Sequence, residues 1–259
     1  MHHFKALFIL VLSSFCFTSC LDIFEDIYLN KDGSGKYSLH MTLGEELKAS
    51  IGNALDSAKN EETPEKAAAQ TESYKKDLEK TIQKLKTVKG ISNIQIINDQ
   101  KNFTFGYEYD FDNLTALNNA ITATSDEYPI EKPTTIQLLG SKDTYTPKNA
   151  FIEKYKDIII RTQSSELGKF IQMSAPANGS NKGMAGGINV AYLLQDLNFT
   201  TTFHLKENIK AVSNPVAVLD KKKKTVTLHC KPFAPPSKDL NLMKANQAAC
   251  QQELQIELK

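Results

Sequence analysis

Nine residues near the middle of the chain leave little choice of local structure. Phe103, Phe105, Tyr107, Tyr109 and Phe111 occupy every second position. A strand repeats its side chains with a period of two, so this spacing puts all five rings on one face of a half-buried strand. A helix would scatter them around its circumference. The same alternation occurs earlier, where Tyr37, Leu39, Met41 and Leu43 interleave with Lys36, Ser38, His40 and Thr42. Before it, Ile23, Ile27 and Leu29 share one face, and Phe24 and Tyr28 share the other. Asp32-Gly33-Ser34-Gly35 joins the two runs as a turn in which glycine supplies positive φ. These residues predict an N-terminal β-hairpin.

Helical spacing takes over next. Thr42-Leu43-Gly44-Glu45 reads as a capping box ahead of Leu47, Ile51, Ala54, Leu55 and Ala58. Thr63-Pro64 opens a second helix with proline at its first position. Tyr74, Leu78, Ile82, Leu85 and Val88 form its apolar stripe, and Gly90 ends it. Ile94 and Ile96 belong to another strand, and Asp112 is expected to cap a short helix carrying Leu114, Leu117 and Ile121. Residues 20–123 therefore read ββααββα. Residues 124–148, rich in Thr, Pro, Lys and Asp, read as a loop or boundary interrupted by a short strand near Thr135 to Leu139. Residues 149–259 form a second β-rich half. Residues 150–155 and 157–162 make a hairpin, and Leu167, Phe170 and Ile171 a helix. Phe199 to Leu205 is a strand. Val216 to Leu219 and Thr225 to Cys230 flank a turn at Asp220 to Lys224. Asp239 to Ala249 is a helix, and Leu254 to Leu258 is the last strand. The fold class that follows is α+β. Its sheet is mostly antiparallel, two amphipathic helices are inserted after an N-terminal hairpin, and both halves pack as one body.

The first twenty residues follow a different logic. A weakly basic start, Met1 to Lys5, leads into the apolar run Ala6 to Leu12 and then Ser13 to Ser19. This is the shape of a secretory signal peptide over residues 1–19, too short to span a bilayer. It ends in Phe17-Thr18-Ser19-Cys20. Small residues before a cysteine that closes an apolar run resemble the lipobox of bacterial lipoproteins. Phe17 stands where that family prefers an aliphatic residue, and Ser19 where it prefers Gly or Ala. The resemblance implies lipidation of Cys20: a diacylglyceryl group on its thiol, cleavage before it, and a further acyl chain such as palmitate on the new amine. Each buried CH₂ contributes about 0.8 kcal/mol, so two or three chains hold a protein firmly on a membrane. The other reading is an ordinary signal peptide with Cys20 unmodified or in a disulfide. Leu21 follows the cysteine where an Asp would favour the inner membrane, which implies the outer membrane and leaves the face open. The stretch Leu21 to Leu43 also resembles the opening of LppM-like lipoprotein domains, in which the cysteine leads directly into a strand, a turn and a second strand. That resemblance implies an envelope role with lipid binding, and assigns no catalytic residue.

Chemistry beyond the anchor is sparse. With 31 basic and 30 acidic side chains the formal charge is +1, which argues against a nucleic-acid partner. Cys16 leaves with the signal. Cys230 and Cys250 either form a disulfide, closing a loop of about 20 residues worth about 3 kcal/mol, or remain two buried thiols. His40, His204 and His229 lack zinc spacing and read as surface residues, so no metal and no cofactor is expected. Lys221 to Lys224 read as a solvated hairpin tip, with contact to anionic lipid as the alternative. Arg161 is the single arginine, which counts against a phosphate site built on several. Gly183 to Gly187 lack the Lys-Ser/Thr of a phosphate loop and read as a flexible loop. Asp26 and Asp110 are a carboxylate pair that folding could bring together. The aromatic strand is core, or else lines a lipid groove. No nucleophile elbow is present. The expected function is a non-enzymatic, membrane-anchored envelope lipoprotein, a binding or scaffolding module with a lipid or an envelope protein as partner. The alternatives are an envelope hydrolase using dispersed carboxylates, and a surface adhesin or antigen.

Overall fold

The N-terminal hairpin is the centre of the molecule. The computed structural model describes residues 21–44, 48, 78–99, 101–124, 136–139, 142, 144–145, 151–162, 197–231 and 253–259. Strand β1 (Leu21–Leu29) pairs antiparallel with β2 (Gly35–Leu43), from Leu21 opposite Leu43 to Leu29 opposite Gly35. Gly33 turns the chain at φ 85°. Asp32 Oδ1 fixes the turn by accepting the Ser34 amide at 3.0 Å and the Ser34 hydroxyl at 2.7 Å.

Helix α1 (78–86) turns Ile82 and Leu85 into the core. Gly90, at φ 85°, leads from it into β3 (Ile91–Asp99), which pairs with β4 (Thr104–Phe111). The expected cap of the next helix, α2 (Leu114–Thr124), moves by one residue. Asp112 donates its amide to Gly90 O and so still belongs to the sheet edge. Asn113 Oδ1 instead accepts the Ala116 amide at 3.0 Å. Two further expectations change. Thr42 stays in β2 with its hydroxyl 3.0 Å from that of Thr104, and Gly44 O accepts the Lys48 amide, so the chain leaves the sheet at Gly44. Phe103 lies in the β3–β4 turn at φ 50°, and the aromatic strand begins one residue later.

The remaining strands are β5 (Ile136–Gln137), β6 (Thr144–Tyr145), β7 (Ile152–Tyr155), β8 (Ile158–Arg161), β9 (Leu197–Leu205), β10 (Ile209–Val212), β11 (Ala217–Leu219), β12 (Thr225–Cys230) and β13 (Leu254–Leu258). They complete a seven-stranded sheet in the order β11-β12-β9-β1-β2-β4-β3 and a four-stranded sheet in the order β10-β13-β8-β7, while β5 and β6 form a separate pair. Among the described residues every pairing is antiparallel except β1 with β9, which run parallel in unbroken register from Leu21 opposite Leu197 to Leu29 opposite Leu205. The protein is therefore α+β with mainly antiparallel sheet. Apart from Lys48, the helices expected at Leu47 to Ala58, Leu167 to Ile171 and Asp239 to Ala249 lie outside the described residues, as does the start expected for the second helix at Thr63-Pro64.

One face of the large sheet, the small sheet and helices α1 and α2 enclose the core. Ile27, Tyr37, Tyr109 and Phe203 meet Leu85, Leu117, Ile159 and Ile256 there. Removing each such side chain from water contributes roughly 1.5–3 kcal/mol. A charge pair lies between the sheets. Glu25 (2% exposed) points inward from β1 between Ile23 and Ile27, and Arg161 (5% exposed) meets it from β8. Arg161 Nη2 lies 2.8 Å from both carboxylate oxygens. Tyr37 Oη donates to Oε1 at 3.0 Å and Thr201 Oγ1 to Oε2 at 2.9 Å. Arg161 Nη1 donates to Thr162 O at 2.8 Å. A buried pair is tolerable only when its remaining lone pairs and protons are satisfied, and here the carboxylate has a donor on each oxygen beyond the arginine.

A candidate site at the far end of the large sheet

Register places the outward side chains of the large sheet in rows that cross it. The row furthest from Leu21 is Thr225, His204, Tyr28, Lys36, Asp110 and Ser92, on β12, β9, β1, β2, β4 and β3. The next row is Thr227, Thr202, Asp26, Ser38, Glu108 and Gln95. The third contains His229, Thr200, Phe24, His40, Gly106 and Ile97.

A trough of about 610 Å³ lies along the first row, open to solvent, and includes Asp112, Lys206 and part of the Asn30–Ser34 turn in its walls. Four side chains of the row have fixed partners. The His204 ring lies parallel to that of Tyr28, with centroids 4.1 Å apart and planes 6° apart. His204 Nε2 is 3.0 Å from Asp26 Oδ1. Burial, then the nearby Asp26 carboxylate, pushes the Tyr28 phenol up, so it remains a protonated donor. Lys36 Nζ lies 2.7 Å from Glu108 Oε1, and this hydrogen bond raises its ammonium. Asp110 Oδ2 accepts Asn93 Nδ2 at 2.7 Å. Asn93 reaches it because β3 bulges between Ser92 and Gln95, with Asn93 at φ 49°. Gly35 is required here: a Cβ would sit 1.9 Å from Tyr28 O and 2.6 Å from Phe111 Cζ.

The residues singled out in the sequence are spread widely. Cys20, Cys250 and Gly183 to Gly187 lie outside the described residues. Cys230 is buried on β12 opposite Phe199. Asp26 and Asp110 are not brought together, because β2 runs between their strands and each has its own partner. Among the described residues no three His, Cys, Asp or Glu side chains are placed to hold a metal ion. His229 Nδ1 is 3.1 Å from Thr200 Oγ1. His40 is half-buried, stacked on Phe24 at 5.1 Å, and fits over β4 because Gly106 has no side chain. Burial lowers its imidazole, against the opposing pull of Asp26 and Glu108. Lys221 to Lys224 form an exposed tip. Asp220 there accepts the amides of Lys222, Lys224 and Thr225, so its carboxylate is tied into the turn. In the aromatic stripe, Tyr109 and Phe111 are buried in the core and Tyr107 packs against it, so the strand is core.

The trough itself was not visible in the sequence, because its floor draws one residue from each of several strands. The Glu25–Arg161 pair left a fainter trace: each charge interrupts an otherwise apolar strand face, and a buried charge demands a partner.

No protein-family profile matches the chain. No curated protein matches it either. Among solved structures it is similar to the NMR structure of the folded domain of the Mycobacterium tuberculosis LppM protein. The likeness has a TM-score of 0.35 and 9% identity, over 93% of this chain and 91% of that one.

Proposed function

We propose that the protein is a lipid-anchored envelope lipoprotein, a non-enzymatic binding module fastened to its membrane through Cys20. The observation that carries this reading is where β1 begins. Leu21 is already paired on both flanks, with Leu43 and with Leu197. The residue next to the lipobox-like cysteine is thus locked into the middle strand of a seven-stranded sheet, with no spacer between. Acyl chains on Cys20 would hold that end of the sheet at the headgroups. The trough lies at the other end of β1, about 26 Å away at the rise of a strand. Lys221 to Lys224 share that far end, since Leu205 N bonds to Lys224 O, so the lysine tip points away from the anchoring lipid. The absence of an Asp after Cys20 favours the outer membrane. The site presents bound polar groups in an open trough, which suits ligand capture rather than turnover, and the purified protein is expected to hydrolyse nothing in a broad substrate panel.

Labelling with radioactive palmitate tests the anchor. The native chain is expected to take up label and to fractionate with membranes, and Cys20→Ser to lose both. Unchanged labelling and fractionation in the variant would overturn the proposal.

A further inference from the structure

We infer that the trough is a saccharide-binding site with Tyr28 as its stacking platform. This rests on reading the protein as a binding module and names the ligand class of that module's site. The first observation is the platform. Tyr28 is 44% exposed, a large aromatic ring standing on a sheet face. It is held rigid, because His204 stacks on it in parallel and Asp26 holds His204. A rigid ring loses little conformational freedom when something packs on it. Pyranose rings offer a flat patch of C–H groups that packs on such a surface.

The second observation is the mixture of polar groups along the same trough. Asp110 and Asp112 accept hydrogen bonds, and Lys206 donates them. Ser92 does both. Asp110 is pre-oriented by Asn93, at a bulge that turns the amide toward it. Sugar hydroxyls are at once donors and acceptors, so a string of them matches acceptors and donors set side by side.

The third observation is what the trough disfavours. Two carboxylates oppose a phosphate or another anion, and the single arginine is buried against Glu25. Lys36 and Lys206 oppose a polyamine. An acyl chain needs apolar enclosure, and this trough is open to solvent, with Lys36, Ser92, Asp110, Asp112 and Lys206 set among its apolar residues Leu29, Phe111 and Leu205.

The test uses the full-length chain in detergent solution and an array of soluble neutral and amino-sugar oligosaccharides, followed by titration of whichever binds. At least one saccharide is expected to bind. Tyr28→Ala should weaken it by about tenfold through loss of the stacked ring. Tyr28→Phe keeps the ring and should stay within about threefold of the native chain. Asp110→Asn should weaken binding without moving the amide NMR spectrum outside the trough, which keeps the test valid if Tyr28→Ala fails to fold. The inference is overturned if no saccharide binds, if Asp110→Asn and a folded Tyr28→Ala both leave affinity unchanged, or if spermine binds in the trough and saccharides do not. The mass of the same purified chain reports acylation separately, so a missing anchor and a missing saccharide site are distinct results.

Discussion

Glu25 occupies a position that alternation alone would give to an apolar side chain. Its carboxylate is matched by Arg161 across the core, with Tyr37 and Thr201 as further donors. Removing one partner of such a pair strands the other charge. Glu25→Gln is expected to lower stability by about 3–5 kcal/mol in urea denaturation. Replacing both, as Glu25→Leu with Arg161→Leu, should cost much less than the sum of the single changes, because no buried charge is left alone. Additive losses would show that the pair is not coupled. His40 makes a second residue-scale prediction. Its folded-state pKa is depressed by burial below the ordinary 6.5. The unfolded chain therefore takes up a proton that the folded chain refuses. The contribution is present above pH 6.5 and is lost as pH falls through the folded value. Asp32, Asp99 and Asp220, held low by hydrogen bonds in their turns, act in a separate window below the ordinary 3.8. Stability measured from pH 7 to pH 5 should decline in the native chain and flatten in His40→Phe. An unaltered slope in that variant would assign the decline elsewhere.

At the scale of elements, what was legible depended on how local its signal was. The hairpin β1–β2 was readable because alternation and a glycine turn sit within twenty-three residues. The β7–β8 hairpin, β12 and the closing strand β13 were readable for similar reasons. The parallel pairing of β1 with β9 was not, since the partners are far apart in sequence and an apolar strand pattern does not name its neighbour. The β3 bulge was equally hidden, because Ile94 and Ile96 keep the period of a regular strand while Asn93 adds a residue beside it. Gly35 looked like part of a turn, yet its place is decided by packing, with Tyr28 O and the Phe111 ring filling the space of a side chain. Gly35→Ala should therefore force β1 and β2 apart and cost about 1–3 kcal/mol by thermal or urea unfolding. A neutral effect would mean that the hairpin end yields easily.

At the scale of the whole molecule, the α+β class and the strand-rich character followed from patterns in the sequence. The trough did not, since it exists only once four registers line up Tyr28, Lys36, Asp110, His204 and Ser92. The same registers give the molecule two distinct ends. Leu21, Leu43, Thr104 and Leu197 mark one, and the Asn30–Ser34 turn, the trough and Lys221 to Lys224 mark the other. If acyl chains on Cys20 enter the bilayer, the first end meets the headgroups. A fluorophore introduced through Lys101→Cys, in the β3–β4 turn, or through Lys31→Cys, in the β1–β2 turn, reads this directly in proteoliposomes carrying headgroup quenchers. The Lys101→Cys label should be quenched and the Lys31→Cys label spared. Equal quenching of both, or quenching of neither, would contradict a sheet standing on its lipidated end with its binding trough held away from the membrane.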